Sequence, residues 1–288
     1  MKKKIPIRRL LALTLAVLMI FTLAACGNHE FDSYRPITDI NNLEGRKIGV
    51  NLAWSADYLL SERDDMILYR YDETADMLMA LCYEQLDAVA VDYITGTYIL
   101  AYTTGLNRVE QELATEGYIT VFGREQTALV DEYNAWLAEY VESDEYAAWM
   151  QRVLDFDGDN YEPENMEMTG TGPVLHCATY LDNFPLTFAD AQGNQNGFEM
   201  EIMIAFANAM NYQLDITLTS EMDMFNGISS GMYEFVFGSL SELYVDDYLI
   251  SGFHASEPYM YLPIYILEIA DHENLGLSGF IDVWGEDE

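Results

Sequence analysis

The sequence predicts an α/β protein with two lobes, each a mostly parallel sheet flanked by helices. Short apolar runs of strand type alternate with runs of helical spacing, as expected for a parallel sheet covered on both faces. The alternation begins at residue 43, stops at an acidic, glycine-containing stretch at 155–173, and restarts at residue 174. About half of the 288 residues are hydrophobic, which is sufficient for a sizeable core.

The first segment, residues 43–154, contains three predicted strands and two predicted helical regions. A short apolar strand ends in a loop that holds Trp54 and Ser55, and a second apolar strand is bounded by Asp87 and Asp92. Apolar residues three and four positions apart predict the helices. In chain order, the elements are a strand at 47–50, a helix at 73–81, strands at 87–92 and 119–122, and a helical region at 127–154.

The second segment, residues 174–267, repeats the alternation of strands and helices. Its strongest helix begins at Gly197 and ends at Met210, and its apolar residues are spaced three and four apart. Two serines, Ser239 and Ser241, follow a buried-type strand directly. Strands are predicted at 174–179, 214–218, 235–238 and 261–267, and a second helix at 225–232.

Residues 155–173 join the two segments and are predicted to form a solvated linker. Their acidic start faintly resembles a calcium loop, but the glycine comes too early and Met166 stands where a bidentate glutamate is needed. Residues 268–288 form an acidic tail. Residues 277–283 weakly repeat 43–50, so the tail is interpreted as the stub of a further lobe in a truncated tandem.

Residues 1–25 resemble a bacterial lipoprotein signal. Five basic residues precede an apolar stretch at 10–23, which is too short to span a bilayer comfortably as a mature helix. The following Leu-Ala-Ala-Cys run resembles a lipobox. The resemblance implies cleavage before Cys26, a lipid on its sulfur, and attachment through the tether 26–42 to the outer face of the cell membrane. An ordinary secretory signal with a chance cysteine is the alternative.

The charge of the chain is strongly negative. The formal net charge is −36, and removal of the five basic residues of the signal leaves −41. No Lys or Arg follows Arg152. Such a surface repels nucleic acid and anionic lipid headgroups, so no nucleic-acid partner is predicted. Two interpretations are open: the acidity keeps the surface soluble, which is the simpler one, or it attracts a cationic solute.

Cysteines and histidines give no sign of an enzyme or a metal site. Cys82 and Cys177 lie in apolar runs and are predicted to be buried free thiols, with a disulfide between them as the alternative. The four histidines are scattered, and the chain has no Ser/His/Asp order, phosphate loop or HExxH pattern. No catalytic residue, cofactor or metal is therefore predicted.

The second segment resembles the first lobe of the bacterial extracellular solute-binding proteins of ABC importers, in the polar amino-acid-binding family. Residues 184–190 followed by 197–202 are similar to that family's Pro-Phe-x-Phe-x-Asp and Gly-Phe-x-x-Asp-Leu stretch. Residues 231–238 are similar to its Gly-Lys-x-Asp-hydrophobic-Gly strand, and 256–259 to its Ser-x-Pro-Tyr. The resemblance implies a two-lobed, periplasmic-binding-protein-like type II fold.

The first segment resembles the second lobe of the same family. Residues 43–50 are similar to its Leu-x-Gly-Lys-x-Ile-Gly-Val, and residues 80–92 to its Ala-Leu-x-x-Gly-x-Val-Asp-Ala-hydrophobic run. The resemblance covers most of residues 40–267. The lobes therefore occur in swapped order, as in a circularly permuted protein.

The resemblance also implies a ligand site. Asp92 matches an ammonium-binding aspartate, with loop capping as the equal alternative, and Ser239 and Ser241 match donors beside the ligand. Trp54 either stacks on the ligand or, slightly favoured, fills a core edge. The carboxylate-binding arginine expected soon after Gly238 is absent. The remaining positions that the resemblance assigns to the site are Ser55, Asn183, Phe184 and Phe188, with Asn183 replacing an expected tyrosine.

The sequence thus predicts a membrane-tethered binding protein that closes around a small polar solute, amino-acid-like or cationic, and docks on an ABC permease. The alternative is a sensor or degenerate binding lipoprotein without a transport role. A third interpretation, an enzyme such as a dehydratase on the same fold, needs a cleft acid or base whose partner the sequence does not identify.

Overall fold

The computed structural model describes residues 36–164, 166–180, 183–190, 192–271 and 275–276. The predicted signal at 1–25, the lipid-bearing Cys26 and the repeat at 277–283 lie outside these residues. Within the described ranges, no helix has both the length and the apolar character needed to cross a membrane.

The described residues form eleven strands and eight α-helices. The strands are β1 Lys47–Asn51, β2 Ile67–Tyr71, β3 Ala88–Asp92, β4 Leu106–Phe122, β5 Val174–Tyr180, β6 Phe188–Ala189, β7 Gln195–Asn196, β8 Gln213–Thr219, β9 Phe235–Ser241, β10 His254–Ala255 and β11 Met260–Ile269. The helices are α1 Ser55–Ser61, α2 Thr74–Cys82, α3 Tyr93–Tyr102, α4 Thr127–Tyr140, α5 Asp144–Leu154, α6 Phe198–Ala209, α7 Glu221–Ser230 and α8 Val245–Ile250. A short 3₁₀ helix, Glu242–Tyr244, precedes α8.

Nine strands form one sheet in which two parallel trios flank a pair of antiparallel strands. The path of the sheet is β2-β1-β3-β11-β4-β9-β5-β8, and β10 pairs with the end of β4. Pairing within β2-β1-β3 and within β9-β5-β8 is parallel. We call the first trio with α1–α3 the first lobe, and the second trio with α4–α7 the second lobe. The predicted α/β fold class is confirmed.

Apolar clusters cover both faces of the sheet in each lobe. In the first lobe, Ile48 and Ala88 belong to one buried cluster, and Met77 and Val89 to another. The second lobe likewise has one cluster around Phe206 and another that holds Met224 and Val236. Parallel strands buried on both faces explain why the strands read as continuous apolar runs.

The two lobes are joined by β4 and β11. The 17-residue strand β4 pairs with β11 over most of its length and with β9 near its end. The strand β11 pairs in turn with β3 of the first lobe. The sequence predicted only residues 119–122 of β4, because the residues before Glu116 are largely exposed and polar.

The helices α4 and α5 pack on the second lobe. The ring centroid of Phe206 lies 4.9 Å from that of Tyr133 and 5.3 Å from that of Trp136. The indole nitrogen of Trp149 donates to the carbonyl oxygen of Phe198 at 3.0 Å. The sequence analysis grouped these helices with the first segment. In the structure these helices lie on the second lobe instead, because β4 carries the chain across the sheet before α4 begins.

The linker at 155–173 is packed in part rather than fully solvated. Phe156 is buried, and the ring of Tyr161 stands edge-on to that of Phe198 at 4.9 Å.

Among the described residues, no group of three acidic, histidine or cysteine side chains is placed to hold a metal ion. Cys82 and Cys177 are free thiols, so no disulfide joins the lobes through them.

Candidate functional site

Asp92 lies at the carboxyl end of β3, where the chain turns into α3. Its side chain caps that helix by accepting a hydrogen bond from the backbone N–H of Thr95 at 2.9 Å. Burial raises the pKa of Asp92. The capping role left open by the sequence is therefore present, and the negative charge of Asp92 also helps to raise the pKa values of Glu116 and Tyr118 of β4.

Glu116 lies on β4, between the lobes, and is only 3% exposed. Its carboxylate accepts a hydrogen bond from the hydroxyl of Ser55 in the first lobe. Burial raises the pKa of Glu116 to about 7, and the negative charge of Asp92 adds to the shift. The sequence analysis did not predict Glu116 as a site residue. The signal that could have identified it is its position directly before the apolar, buried end of β4.

Tyr118, two residues further along the same face of β4, stands among three carboxylates. Burial together with the charges of Glu116, Asp92 and Glu199 raises the pKa of Tyr118 well above the usual value. In the part of the chain that the structure describes, no ion pair joins any of these carboxylates to a Lys or Arg. We call the region where the two lobes meet around Glu116 and Tyr118 the cleft; its centre is acidic and has no balancing Lys or Arg among the described residues.

Glu199 lies in the first turn of α6 and is completely buried. Its Oε1 accepts from the backbone N–H of Ser239 at 2.8 Å and from the hydroxyl of Tyr259 at 2.6 Å. Its Oε2 has no hydrogen-bond partner among the described residues, and the same is true of the buried Thr179 Oγ1. Burial raises the pKa of Glu199 to about 7.

The loop at Gly238 and Ser239 has an unusual backbone. Ser239 has a φ of +54°, a left-handed conformation that is uncommon outside glycine. Its N–H is bound by Glu199, and its hydroxyl accepts from Asn183 Nδ2 at 2.6 Å. These side chains hold Ser239 in place, and strained backbone maintained in this way is frequent at functional sites.

Aromatic side chains close the cleft on one side. The ring of Phe184 lies 4.9 Å from Phe188, 5.8 Å from Phe156 and 6.3 Å from Tyr98 of α3. Tyr98 belongs to the first lobe, so Phe184 links the lobes directly. Phe184 and Phe188 therefore form a packed cluster.

Tyr244, which follows β9, makes a second contact with the first lobe. Its hydroxyl donates to the carbonyl oxygen of Ala53 at 2.8 Å, and its ring meets that of Tyr58 at 5.3 Å. Trp54, beside Ala53, is 46% exposed. It therefore lies at the rim of the cleft and does not fill a core edge, contrary to the slightly favoured prediction.

The structure thus brings the sequence-predicted residues together in three places. Ser55 binds Glu116, and the charge of Asp92 acts on that carboxylate. Asn183 binds Ser239, whose N–H binds Glu199. Phe184 packs with Phe188 and with Tyr98 of the first lobe. Two surface pockets in the described chain, of about 390 and 430 Å³, lie elsewhere, by Asp64 and by Trp136 respectively. The cleft itself is closed by the protein's own side chains.

One family model matches part of the chain. The model of the bacterial extracellular solute-binding proteins, family 3, matches residues 175–246, which include most of β5, all of α6 and the loop at Ser239. No curated protein matches the chain.

Solved structures of similar shape include three binding proteins. The chain is 11% identical to the GluR0 ligand-binding core in complex with L-glutamate, covering 78% of this chain and 84% of that one with a TM-score of 0.37. The chain is 11% identical to the aliphatic sulphonate binding protein SsuA of Escherichia coli, covering 84% of this chain and 69% of that one with a TM-score of 0.41. It is 9% identical to the probable amino-acid ABC transporter extracellular-binding protein ytmK of Bacillus subtilis, covering 84% of this chain and 93% of that one with a TM-score of 0.39. Similarities this distant carry no functional conclusion.

Proposed function

We propose that the chain is a lipid-anchored extracellular solute-binding protein that takes a small, positively charged solute between its lobes and delivers it to an ABC importer. The match of residues 175–246 to the extracellular solute-binding family supports the class of function. The lipobox-like run before Cys26 supports the anchor. Delivery to a permease is inferred from the resemblance to binding proteins of ABC importers.

The observation that carries the proposal is the pair of buried carboxylates, Glu116 and Glu199, together with the half-buried Asp92, with no Lys or Arg paired to them among the described residues. Burying an ionised carboxylate is costly unless a cation or several hydrogen bonds compensate for the lost water. A cationic solute would supply that compensation. The same site has no cation to pair with a solute's carboxylate, so dicarboxylates and neutral amino acids are disfavoured.

The joining strands support a mechanism of closure. Glu116 lies on β4, which pairs with β9 of the second lobe, and it accepts a hydrogen bond from Ser55 of the first lobe. Opening of the lobes would separate Ser55 from Glu116 and admit the solute. Closure would then exclude water and strengthen every charge-assisted contact inside.

Calorimetry on the mature chain tests the proposal. We expect binding of cationic solutes such as primary amines and guanidinium compounds, and none of dicarboxylates. Asp92→Asn should weaken binding by about 1.5–3 kcal/mol, the usual contribution of a hydrogen bond to a charged group. Asp131→Asn, on the exposed side of α4, removes the same charge away from the cleft and should change little. Tight binding of a neutral amino acid that is indifferent to Asp92 would overturn the proposal.

The anchor is tested separately. Cys26→Ser should release the protein from membranes or leave the precursor uncleaved, since the lipid is attached through the cysteine sulfur. Fractionation and electrophoretic migration are the measurements. A variant that fractionates and migrates like the parent would contradict the lipoprotein assignment.

A second candidate, a sensor or degenerate binding lipoprotein, is favoured by the closed cleft. Phe184 and Tyr244 make direct contacts between the lobes that require no solute. Small-angle scattering distinguishes the two functions. A binding protein should change its radius of gyration on adding solute, whereas a degenerate one should give the same curve with every solute tried.

A further inference from the structure

We propose that the cationic solute displaces a proton from Glu199, so that binding below neutral pH releases this proton to the solvent. The inference rests on the proposed function, because it concerns the same cationic solute. It goes further in naming the carboxyl group that exchanges its proton for the solute, and in making the affinity depend on pH.

The hydrogen bonds of Glu199 are made by only one of its two oxygens. Oε1 accepts from the backbone N–H of Ser239 at 2.8 Å and from the hydroxyl of Tyr259 at 2.6 Å. Oε2 is buried and has no hydrogen-bond partner among the described residues. An ionised carboxylate with a bare oxygen in the interior is costly, because nothing replaces the water that it has lost. Without a solute, the neutral carboxyl is therefore favoured.

The titratable side chains that share the surroundings of Glu199 are tyrosines. Tyr259 contacts it directly, and the charge of Glu199 helps to raise the pKa values of Tyr118 on β4 and Tyr133 on α4. Burial raises the pKa of all three tyrosines above the usual value, so they carry no charge near pH 7. Burial likewise raises the pKa of Glu199 to about 7.

The cation beside the first turn of α6 is already bound elsewhere. The guanidinium carbon of Arg152 lies 5.4 Å from the ring centroid of Phe198, but two of its nitrogens bind Glu201 at 2.7 and 2.9 Å. Among the described residues, no Lys, Arg or His forms an ion pair with Glu199. The positive charge that would hold Glu199 ionised must therefore come from a solute.

Glu199 lies at the edge of the second-lobe sheet where a solute is expected. The strands β5 and β9 are parallel, and Thr179 and Ser239 lie near their carboxyl ends, the edge at which open α/β sheets bind ligands. A Cβ on Gly238 would lie 2.7 Å from Thr179 Oγ1, a second buried atom without a partner in the described chain. Buried polar atoms are rarely left unpaired, and a bound group is one explanation. An ammonium or guanidinium N–H would supply the partner that Glu199 Oε2 lacks.

Arrival of a cation reverses the preference for the neutral form. A positive charge beside Oε2 favours the carboxylate and lowers the pKa of Glu199. The O–H bond of the carboxyl breaks, its electron pair stays on the oxygen, the proton passes to water, and an N–H of the solute donates in its place. Because proton and solute compete for one carboxylate with a pKa of about 7, affinity should rise about tenfold from pH 6 to pH 8.

Calorimetry with butylamine and butylguanidine, in buffers of different ionisation enthalpy, counts the protons released by the mature chain. Both probes stay charged from pH 6 to pH 8, because amines titrate at about 10 and guanidines above about 12. We expect the wild type to release about 0.9 proton more than Glu199→Gln at pH 6, and about 0.1 more at pH 8. Glu199→Gln keeps an acceptor for Ser239 but resembles the protonated state, so it should bind both probes more weakly at pH 8.

Two further variants assign the proton. Glu116→Gln makes the same substitution at the other buried glutamate whose pKa is raised to about 7, and it should retain the release that Glu199→Gln loses. Tyr259→Phe removes a donor that favours the ionised form of Glu199, so the rise of affinity should move to higher pH. This shift is measured even where Glu199→Gln binds neither probe.

The outcomes separate this inference from the proposed function. Binding of a probe without proton release at pH 6, or a release that survives in Glu199→Gln, overturns the exchange and leaves a cation-binding cleft. A release that is lost only in Glu116→Gln, or a pH dependence that Tyr259→Phe does not move, has the same consequence. Failure of every cationic solute to bind overturns both. Circular dichroism verifies that the variants are folded.

Discussion

Two buried glutamates, Glu199 and Glu201, lie two residues apart in the first turn of α6 and have opposite surroundings. Glu201 points toward the linker, where Arg152 binds it through two nitrogens at 2.7 and 2.9 Å. The hydroxyl of Tyr161 donates to it at 3.0 Å and the backbone N–H of Glu164 at 3.2 Å. Glu199 points toward the cleft and meets no positive charge among the described residues.

This difference distinguishes a buried carboxylate that stabilises the fold from one that is left available to a ligand. The hydrogen bonds of Glu201 are completed within the protein, and they fasten α5, α6 and the linker together. One oxygen of Glu199 is left without a partner. Burial of either carboxylate costs free energy, but only Glu201 recovers that cost through contacts within the fold. Glu199 is therefore the carboxylate that we propose to meet a ligand.

The largest predicted effect concerns the linker side of this comparison. Arg152→Ala should lower the free energy of unfolding by about 3 kcal/mol, because it leaves the carboxylate of Glu201 buried without its cation. This loss of stability is at the low end of the range for removing one partner of a buried ion pair, because the Arg152 side chain is 23% exposed. Urea denaturation is the measurement. The matched control, Arg70→Ala, removes a more exposed pair with Asp57 and should cost about 1 kcal/mol or less. Equal losses would contradict the comparison.

A second prediction concerns pH and the cleft side. The pKa of Glu199 is about 7 in the folded protein, above the value of about 4.3 for a free glutamate. Between these values the folded state binds more protons than the unfolded state, so stability must fall as pH rises from about 4.3 to 7. We expect a loss of about 2 kcal/mol between pH 5 and pH 7 from this carboxyl, at 1.36 kcal/mol per unit.

Thermal unfolding as a function of pH measures this effect. Glu199→Gln should remove part of the slope, and the same substitution at Glu116, whose pKa is also raised to about 7, should remove another part. Asp131→Asn controls for the general relief of negative charge at low pH. If the wild type and Glu199→Gln have parallel profiles, Glu199 does not titrate as inferred.

The smallest predicted effect compares two tyrosines, one for each glutamate. Tyr161→Phe removes a hydroxyl that donates to Glu201 and accepts from the N–H of Gly197, so about 1–2 kcal/mol of stability should be lost. Tyr259→Phe removes a donor to Glu199, which stabilises the ionised carboxylate, so it should raise the pKa of Glu199 further. Its pH–stability profile should shift to higher pH, whereas that of Tyr161→Phe should not. The reverse pattern would exchange the roles assigned to the two sides of α6.

Much of the local structure could be predicted because each lobe repeats short apolar strands and helices of clear period. The apolar strand before Asp92, the helix from Phe198 and the serine loop after Gly238 lie close to their predicted positions. Asp92, Ser55 and Ser241 were chosen from the resemblance to the solute-binding family, and Asp92 and Ser241 are the last residues of β3 and β9.

The remainder depends on contacts that local patterns do not encode. The exposed half of β4 is polar, so its length and its role between the lobes had no apolar signal. Glu116 and Glu199 were missed as site residues because burial of an acid depends on what packs around it in three dimensions. The packing of α4 on the second lobe follows from the path of β4, which composition and spacing do not determine.

The position of β4 in the sheet has a consequence for how the chain folds. This strand belongs to the first segment, yet it pairs with β9 of the second, and β11, near the end of the described chain, is inserted between β3 and β4. Neither lobe can complete its sheet from its own segment. Folding must therefore close long loops before the central pairings form, which slows it and makes it strongly cooperative. A ribosome-bound fragment ending before residue 260 would lack the strand that joins β3 to β4, so an unfinished chain cannot complete the central sheet.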